Sequence, residues 1–383
     1  MDLNVVLRGQ SNAFLMVSDD LGSVGARTLT AEVQRLLGFD GVNDRVVLDD
    51  WWQPGQNTIF GATAFIGEWV ARDATGAWQP LQYEQALLRN MSQNQPATET
   101  AIVWLHNEYD SLNAGLTPDE WASAVRADAA MVRGALGMDA ARSPYVFVSA
   151  IPFVAGNDGS HQAIRAGREA LEADPAFGAI VGARALDLDM SFKFPFETAF
   201  TDYTYGLSHV SAQDAAKIGE RVARSLAEEW AAYAKPGSPV ALEGGNIASD
   251  GPRVVAATTV AADTLVVKVV HDRAAGFAPL DADAAAGLGW VVGGSTAAVS
   301  ADNVQVLSAD TLQLHFRGAI PSDGLLYYGF GYGRLAGTNQ PGQGNAIYDD
   351  TGLPLWTPAT RVGITAPAPA LVAAPAADFG PIA

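Results

Sequence analysis

No cysteine occurs in the 383 residues, which excludes disulfide staples, thiolate metal sites and thiol nucleophiles from the outset. Basic residues are scarce: 23 Lys and Arg stand against 42 Asp and Glu, a formal charge of −19 at pH 7. A surface of that sign repels phosphate backbones and anionic lipid headgroups, so nucleic acid is not expected as a partner. No apolar run is long enough to span a bilayer, so no membrane insertion is expected. The acidic pairs Asp19-Asp20, Asp49-Asp50 and Asp349-Asp350 lack the spacing of a calcium loop and read as solvated turns. No metal and no organic cofactor is implied. An apolar strand begins within the first few residues and leaves no room for a charged leader. At face value the compartment is cytoplasmic; it is periplasmic or secreted if the natural chain carries a leader ahead of this sequence.

Apolar residues are plentiful, at 49% of the chain, enough for one large core and a smaller second one. Apolar strands near Val5, Val46, Ile102, Val146 and Leu186 alternate with helical runs at Thr30 to Leu37, Glu84 to Met91, Thr117 to Leu136 and Gln162 to Ala173. That alternation predicts an α/β fold: a three-layer α/β/α arrangement around a parallel sheet, ending with a helix from Ala212 to Ala234. Thr117-Pro-Asp-Glu120 is a helix start, with a capping hydroxyl, a proline in the first turn and acids beside the amide end. Lys235-Pro-Gly-Ser-Pro239 breaks the pattern. Beyond it, Val254 to Val260, Thr264 to Val270, Asn303 to Leu307 and Thr311 to Phe316 are short alternating strands, the pattern of an antiparallel β-sandwich with Trp290 and Leu325 to Gly329 in its core. The expected division is residues 1–235, 236–365, and an Ala/Pro-rich tail over 366–383.

Chemistry concentrates at the ends of the expected strands. Val5-Val-Leu-Arg-Gly-Gln-Ser-Asn12 breaks a buried strand into a glycine-bearing turn, and places the Ser11 hydroxyl where a parallel sheet presents ligands. A plain turn or helix cap is the structural alternative. Ala101 to Leu105 is a second apolar strand, ending in the polar cluster His106-Asn-Glu-Tyr-Asp110. Gly206-Leu-Ser-His-Val-Ser211 sets His209 just ahead of the last helix, from where an imidazole can reach a strand-end serine and take its proton. His161, His271 and His315 carry no motif and read as structural or surface residues.

These segments together resemble the SGNH hydrolase superfamily, in its sialate O-acetylesterase-like branch, which comprises carbohydrate esterase family six and its relatives. The branch carries Gly-Gln-Ser-Asn at its nucleophile, matched at Gly9 to Asn12. Its strand-end Trp-x-Gln-Gly-Glu-x-Asp is matched by Trp104 to Asp110, with His106 and Asn107 in place of Gln and Gly. Its last block, Asp-x-x-His-x-Ser, is met at Gly206 to Ser211 with Gly206 in place of Asp. The resemblance covers roughly residues 1–235 and implies a flavodoxin-like catalytic domain. It also implies an acyl-Ser11 intermediate with His209 as the base.

Because Gly206 stands where that family has its acid, the group orienting His209 is open; Asp202 and Glu108 are the candidates, or a backbone carbonyl. Oxyanion donors implied by the resemblance are the Ser11 N–H, a glycine N–H from Gly55 or Gly61, and a side chain at the Trp104 strand end. For that last donor Asn107 is preferred to His106, because an amide donates without titrating. Trp51 and Trp52 could stack on a sugar ring or pack as core, and Tyr205 lies in an aromatic stretch that could line the substrate or simply be packed. The reading is a serine esterase removing acetyl or another small acyl group from carbohydrate or polysaccharide hydroxyls, its partner being the acylated glycan. A carbohydrate O-acyltransferase using the same Ser/His pair, and a non-catalytic carbohydrate-binding protein, are the alternatives.

Overall fold

The computed structural model describes residues 1–17, 23–48, 64–93, 98–105, 109–150, 158–185, 187–188, 212–329 and 346–366. Among these, the first half of the chain builds β1 (Asp2–Gly9), α1 (Ser11–Val17), α2 (Val24–Leu37), β2 (Arg45–Leu48), a small hairpin β3 (Val70–Arg72) and β4 (Trp78–Pro80), and α3 (Gln82–Gln93). There follow β5 (Glu99–Leu105), α4 (Pro118–Leu136), β6 (Tyr145–Ala150), α5 (Asp158–Glu172), β7 (Ala179–Ala185) and α6 (Ala212–Glu229). The expected cap of α4 is present: the Thr117 hydroxyl accepts the Glu120 N–H at 3.2 Å, Pro118 opens the helix, and Gly137 closes it at φ 64°.

β1, β2, β5, β6 and β7 form one five-stranded sheet in the order β2-β1-β5-β6-β7, every pairing parallel. Parallel strands covered on both sides must be apolar on both faces, and β1 and β5 are buried almost throughout. One face packs on α1, α2 and α6 through Leu3, Val5, Leu7, Leu29, Val33, Ile218 and Val222. The other packs on α3, α4 and α5 through Val6, Ile102, Trp104, Trp121, Val125 and Ile164. Counting only the sheet's own strands, the order is 2-1-3-4-5, so the winding reverses between β1 and β5.

Helix starts depart from the periodicity. α2 begins at Val24 rather than near Thr30, and α5 at Asp158 rather than Gln162: α5 opens with Asp-Gly-Ser and α2 carries Gly25 just after Ser23, compositions that resemble a loop. β7 ends at Ala185, one residue before Leu186, which lies outside the described residues.

The second half contains α7 (Pro239–Leu242), β8 (Arg253–Ala261), β9 (Thr264–Val270), α8 (Ala282–Ala285), β10 (Trp290–Gly293), β11 (Ala298–Ser308), β12 (Thr311–Phe316), β13 (Leu325–Tyr328) and β14 (Val362–Thr365). The expected β-sandwich is corrected here: the seven strands close into a barrel, β10-β11-β12-β9-β8-β14-β13, with β13 returning to β10. Alternating apolar residues specify one buried face, which a sandwich and a barrel share. Closure depends on β14, a four-residue strand interrupted by Gly363, which pairs parallel to β8 and antiparallel to β13. Trp290 and Tyr328 occupy the barrel core as anticipated, with ring centroids 4.5 Å apart.

The barrel is tied to the sheet by half-buried polar contacts. The Tyr348 hydroxyl donates to Asp187 Oδ2 at 2.8 Å, and Arg221 grips the same carboxylate with two bonds of 2.7 Å. The Arg184 guanidinium lies 3.5 Å from the centroid of the Trp356 ring and bonds Asp250, and Glu169 accepts the Ala359 N–H. Asp349 is fully buried rather than solvated, accepting the Thr351 and Leu353 N–H groups. The tail from residue 367 lies outside the described residues.

Candidate active site

β1 and β5 run side by side in strict register, and the last pair is Gly9 with Leu105. Gln10 therefore leaves the sheet beside the exit of β5, at the point where the strand order reverses. The turn is abrupt: Gln10 C=O already accepts the Phe14 N–H at 2.9 Å, so the chain passes from strand to helix in one residue and Ser11 opens α1. Gly9 permits this because of space, not φ. A methyl on Gly9 would lie 2.8 Å from Ala13 Cβ and 3.0 Å from the Leu105 carbonyl carbon. Strand, turn and helix are thus packed as closely as backbone allows.

α6 arrives at the same corner. A methyl on Gly25, at the start of α2, would meet Met16 Sδ at 2.6 Å and Ala215 C=O at 3.1 Å, so the last turn of α1, the first of α2 and the first of α6 are in mutual contact. α6 begins at Ala212, three residues after His209.

Beneath the β1 exit lies a charge cluster that the sequence reading passed over. Arg8, the penultimate strand residue, is fully buried, with its guanidinium 4.9 Å from the Trp69 ring centroid and 4.8 Å from that of Trp104. It pairs with Glu84 of α3 and, at 2.5 Å, with Asp128 of α4; Asp128 also accepts the Tyr145 hydroxyl at 3.0 Å. Burial opposes the Arg8 charge, but Asp128 and Glu84 outweigh it and hold the guanidinium protonated. Burial pushes the Glu84 carboxyl well above the ordinary glutamate range, and the Asp128 carboxyl upward as well. A signal was available: an arginine inside the run Val5-Val-Leu-Arg8 is anomalous in a core strand and demands a buried counter-ion.

A second tie joins the neighbouring connections. Asp110, which ends the Trp104 to Asp110 cluster, is buried and accepts two consecutive backbone N–H groups, from Phe65 at 3.3 Å and Ile66 at 3.1 Å. His161, on the first turn of α5, is fully buried, and among the described residues neither ring nitrogen has a hydrogen-bond partner. Burial, with Arg165 and Arg168 adding to it, pushes its pKa far below the usual histidine value, so it is neutral. His271 bonds the Ala309 C=O, and His315 bonds Asp302 on the barrel surface, as structural residues.

Of the sequence-derived site, the described residues place Ser11 as the first residue of α1. His209, Asp202, Glu108, His106, Asn107, Gly55, Gly61, Trp51, Trp52 and Tyr205 lie outside the described residues. What the structure does bring together is the set of element ends that carry them: the β1 exit, the β5 exit at Leu105, the chain re-entering at Phe65, and the start of α6. Among the described residues no group of three or more His, Asp or Glu is arranged to hold a metal ion.

The chain matches no family model and no curated protein. Among solved structures it is similar to XAC1771, a carbohydrate acetylesterase from Xanthomonas citri, with a TM-score of 0.53 at 14% identity, covering 93% of this chain and 79% of that one. Identity that low shows a shared fold alone. The S-layer protein rSbsC(31-844) aligns with a TM-score of 0.22 at 12% identity over 40% of this chain and 20% of that one, which carries no argument.

Proposed function

We propose that this chain is a serine esterase of the SGNH type that removes an acetyl or similarly small acyl group from a carbohydrate hydroxyl. The observation that carries the reading is topological. Gly9-Gln-Ser-Asn12 leaves β1 at the point where the strand order reverses, beside the exit of β5, and this is the crevice in which open parallel sheets bind ligands. The XAC1771 likeness supports the carbohydrate ester as substrate, because that protein is a carbohydrate acetylesterase on a similar fold.

In this reading the Ser11 hydroxyl attacks the ester carbonyl while His209 takes its proton, giving a tetrahedral oxyanion. Collapse breaks the bond to the sugar oxygen, which leaves with the proton from His209. A water, deprotonated by the same imidazole, then cleaves the acyl-Ser11 ester and releases the carboxylic acid. Chain length permits the pairing: three residues span at most about 11 Å, so His209 is tethered close to the first turn of α6, which itself touches α1. The Ser11 N–H, Gly55 or Gly61, and Asn107 or His106 are assigned to the oxyanion, with Glu108 or Asp202 behind His209. Trp51, Trp52 and Tyr205 are assigned to the sugar.

Release of acetate from a panel of acetylated monosaccharides and xylan tests the proposal. Wild type is expected to turn over at least one, with Ser11→Ala and His209→Ala each reduced by a factor on the order of 10³ or more. Equal acetate release by Ser11→Ala and wild type would remove the serine from the mechanism.

A further inference from the structure

We propose that Asp110 is a positioning residue for catalysis, a clamp that fixes the distance between the two connections flanking the β1 exit; this rests on the esterase reading of that site. The geometry is specific. Both oxygens of one buried carboxylate are used on neighbouring peptide N–H groups, Oδ2 on Phe65 and Oδ1 on Ile66. A carboxylate shared by two neighbouring amides makes stronger bonds than a neutral acceptor, and its removal leaves two donors unmatched, the Phe65 N–H in a buried place and the Ile66 N–H in a half-buried one.

Each end of the clamp is itself immobilised. The Phe65 ring stands edge-on to Trp104 of β5, with centroids 4.9 Å apart and planes at 82°, and the Phe65 C=O accepts the Trp69 and Val70 N–H groups. On the other side Asp110 opens a 3-10 turn whose Asn113 C=O accepts the Ser160 hydroxyl from α5. The carboxylate therefore joins two rigid anchors across the mouth of the sheet rather than pinning a loose end.

What these anchors hold gives the clamp its role. Of the two glycine candidates, Gly61 precedes Phe65 by four residues and Gly55 by ten, and Asn107 precedes Asp110 by three; Gly61 and Asn107 are leashed within about 14 Å and 11 Å of the clamp, which therefore acts on Gly61 rather than Gly55. The third donor, the Ser11 N–H, opens α1 directly after β1, the strand paired to β5. An oxyanion hole built from three separate segments works only if their spacing is fixed before substrate arrives. The Asp110 carboxylate ties the segment that follows Gly61 to the segment that follows Asn107.

The test is pre-steady-state acylation by p-nitrophenyl acetate of Asp110→Ala and Asp110→Asn in the full chain, with thermal melts alongside. The burst amplitude counts competent folded molecules, and the burst rate reports acylation by each of them. The expected result for Asp110→Ala is a preserved amplitude per folded molecule, a burst rate lowered roughly 10- to 100-fold, and a substrate dissociation constant, read from the saturation of the burst rate, nearly unchanged. Asp110→Asn, which keeps one acceptor oxygen, is expected to fall between that variant and wild type and guards against a failure of Asp110→Ala to fold. A lowered melting temperature with a wild-type burst rate in the folded fraction would make Asp110 a stability residue and overturn the proposal. Wild type that releases no more nitrophenol than Ser11→Ala and forms no acetyl-enzyme would overturn it differently, by removing the esterase reading itself.

Discussion

Gly9→Ala is the substitution through which packing at the strand exit acts most directly on the proposed chemistry. The added methyl would sit 2.8 Å from Ala13 Cβ, 3.0 Å from the Leu105 carbonyl carbon and 3.1 Å from its oxygen. Carbon atoms in contact prefer about 3.5–4.0 Å, so something must retreat by about 0.7 to 1 Å. Leu105 lies on a central strand, whereas Ala13 belongs to a seven-residue helix, so α1 is the element that yields. Overpacking of this kind costs about 1–3 kcal/mol, or about 2–4 °C in melting temperature per kcal/mol for a chain of a few hundred residues. The catalytic cost is larger in proportion, because α1 begins at Ser11: a misplacement near 1 Å lowers kcat/KM by a factor on the order of 10². Deleting the Ala13 methyl relieves the closest contact, so the double variant Gly9→Ala/Ala13→Gly is expected to recover part of both losses. Urea melts and p-nitrophenyl acetate kinetics, the latter normalised to folded protein, measure the two effects separately. Wild-type stability together with wild-type kcat/KM in Gly9→Ala would refute the argument that close packing places the serine.

Two further substitutions test the buried polar groups. At Glu84 burial lifts the carboxyl above its ordinary value of 4.5, so the folded chain retains a proton that the unfolded chain has released, and stability falls as pH rises from 4.5 toward the folded value. Glu84→Gln is therefore expected to flatten that slope in denaturation measured at successive pH values; an unchanged slope would mean that Glu84 is ionised beside Arg8. Tyr348→Phe removes the phenol that reaches from the barrel to Asp187 and is expected to cost about 1–3 kcal/mol, because the buried carboxylate loses one of its donors. A barrel resting on the sheet by apolar contact alone would show no loss in the same melts.

Much of the sheet was legible because a parallel strand covered on both sides must be apolar end to end, and β1, β5 and β6 announce themselves that way. The helices were found where an apolar stripe repeats, and Thr117 marked a start through its cap. Barrel closure was not legible, since it depends on Val362-Gly-Ile-Thr365 meeting a strand more than a hundred residues earlier. Local alternation carries no information about such a partner. At the site, the Gly9 to Asn12 turn was readable as a strand exit, but the residues that hold it were not all found. Arg8 looked like one charge in an apolar run, and its two carboxylates come from α3 and α4, far along the chain. Asp110 was read as the last letter of a motif, while its role as acceptor for Phe65 and Ile66 exists only in three dimensions.

The central claim is that Ser11 is acylated at the reversal point between β1 and β5. Quenching the reaction with p-nitrophenyl acetate in acid and mapping the modified peptide by mass spectrometry tests it most directly. The account predicts one acetyl group, on Ser11, lost on further incubation, and absent from both Ser11→Ala and His209→Ala quenched at the same early time. Acetylation at another residue, or an unmodified Ser11 in protein that is releasing nitrophenol, would contradict it.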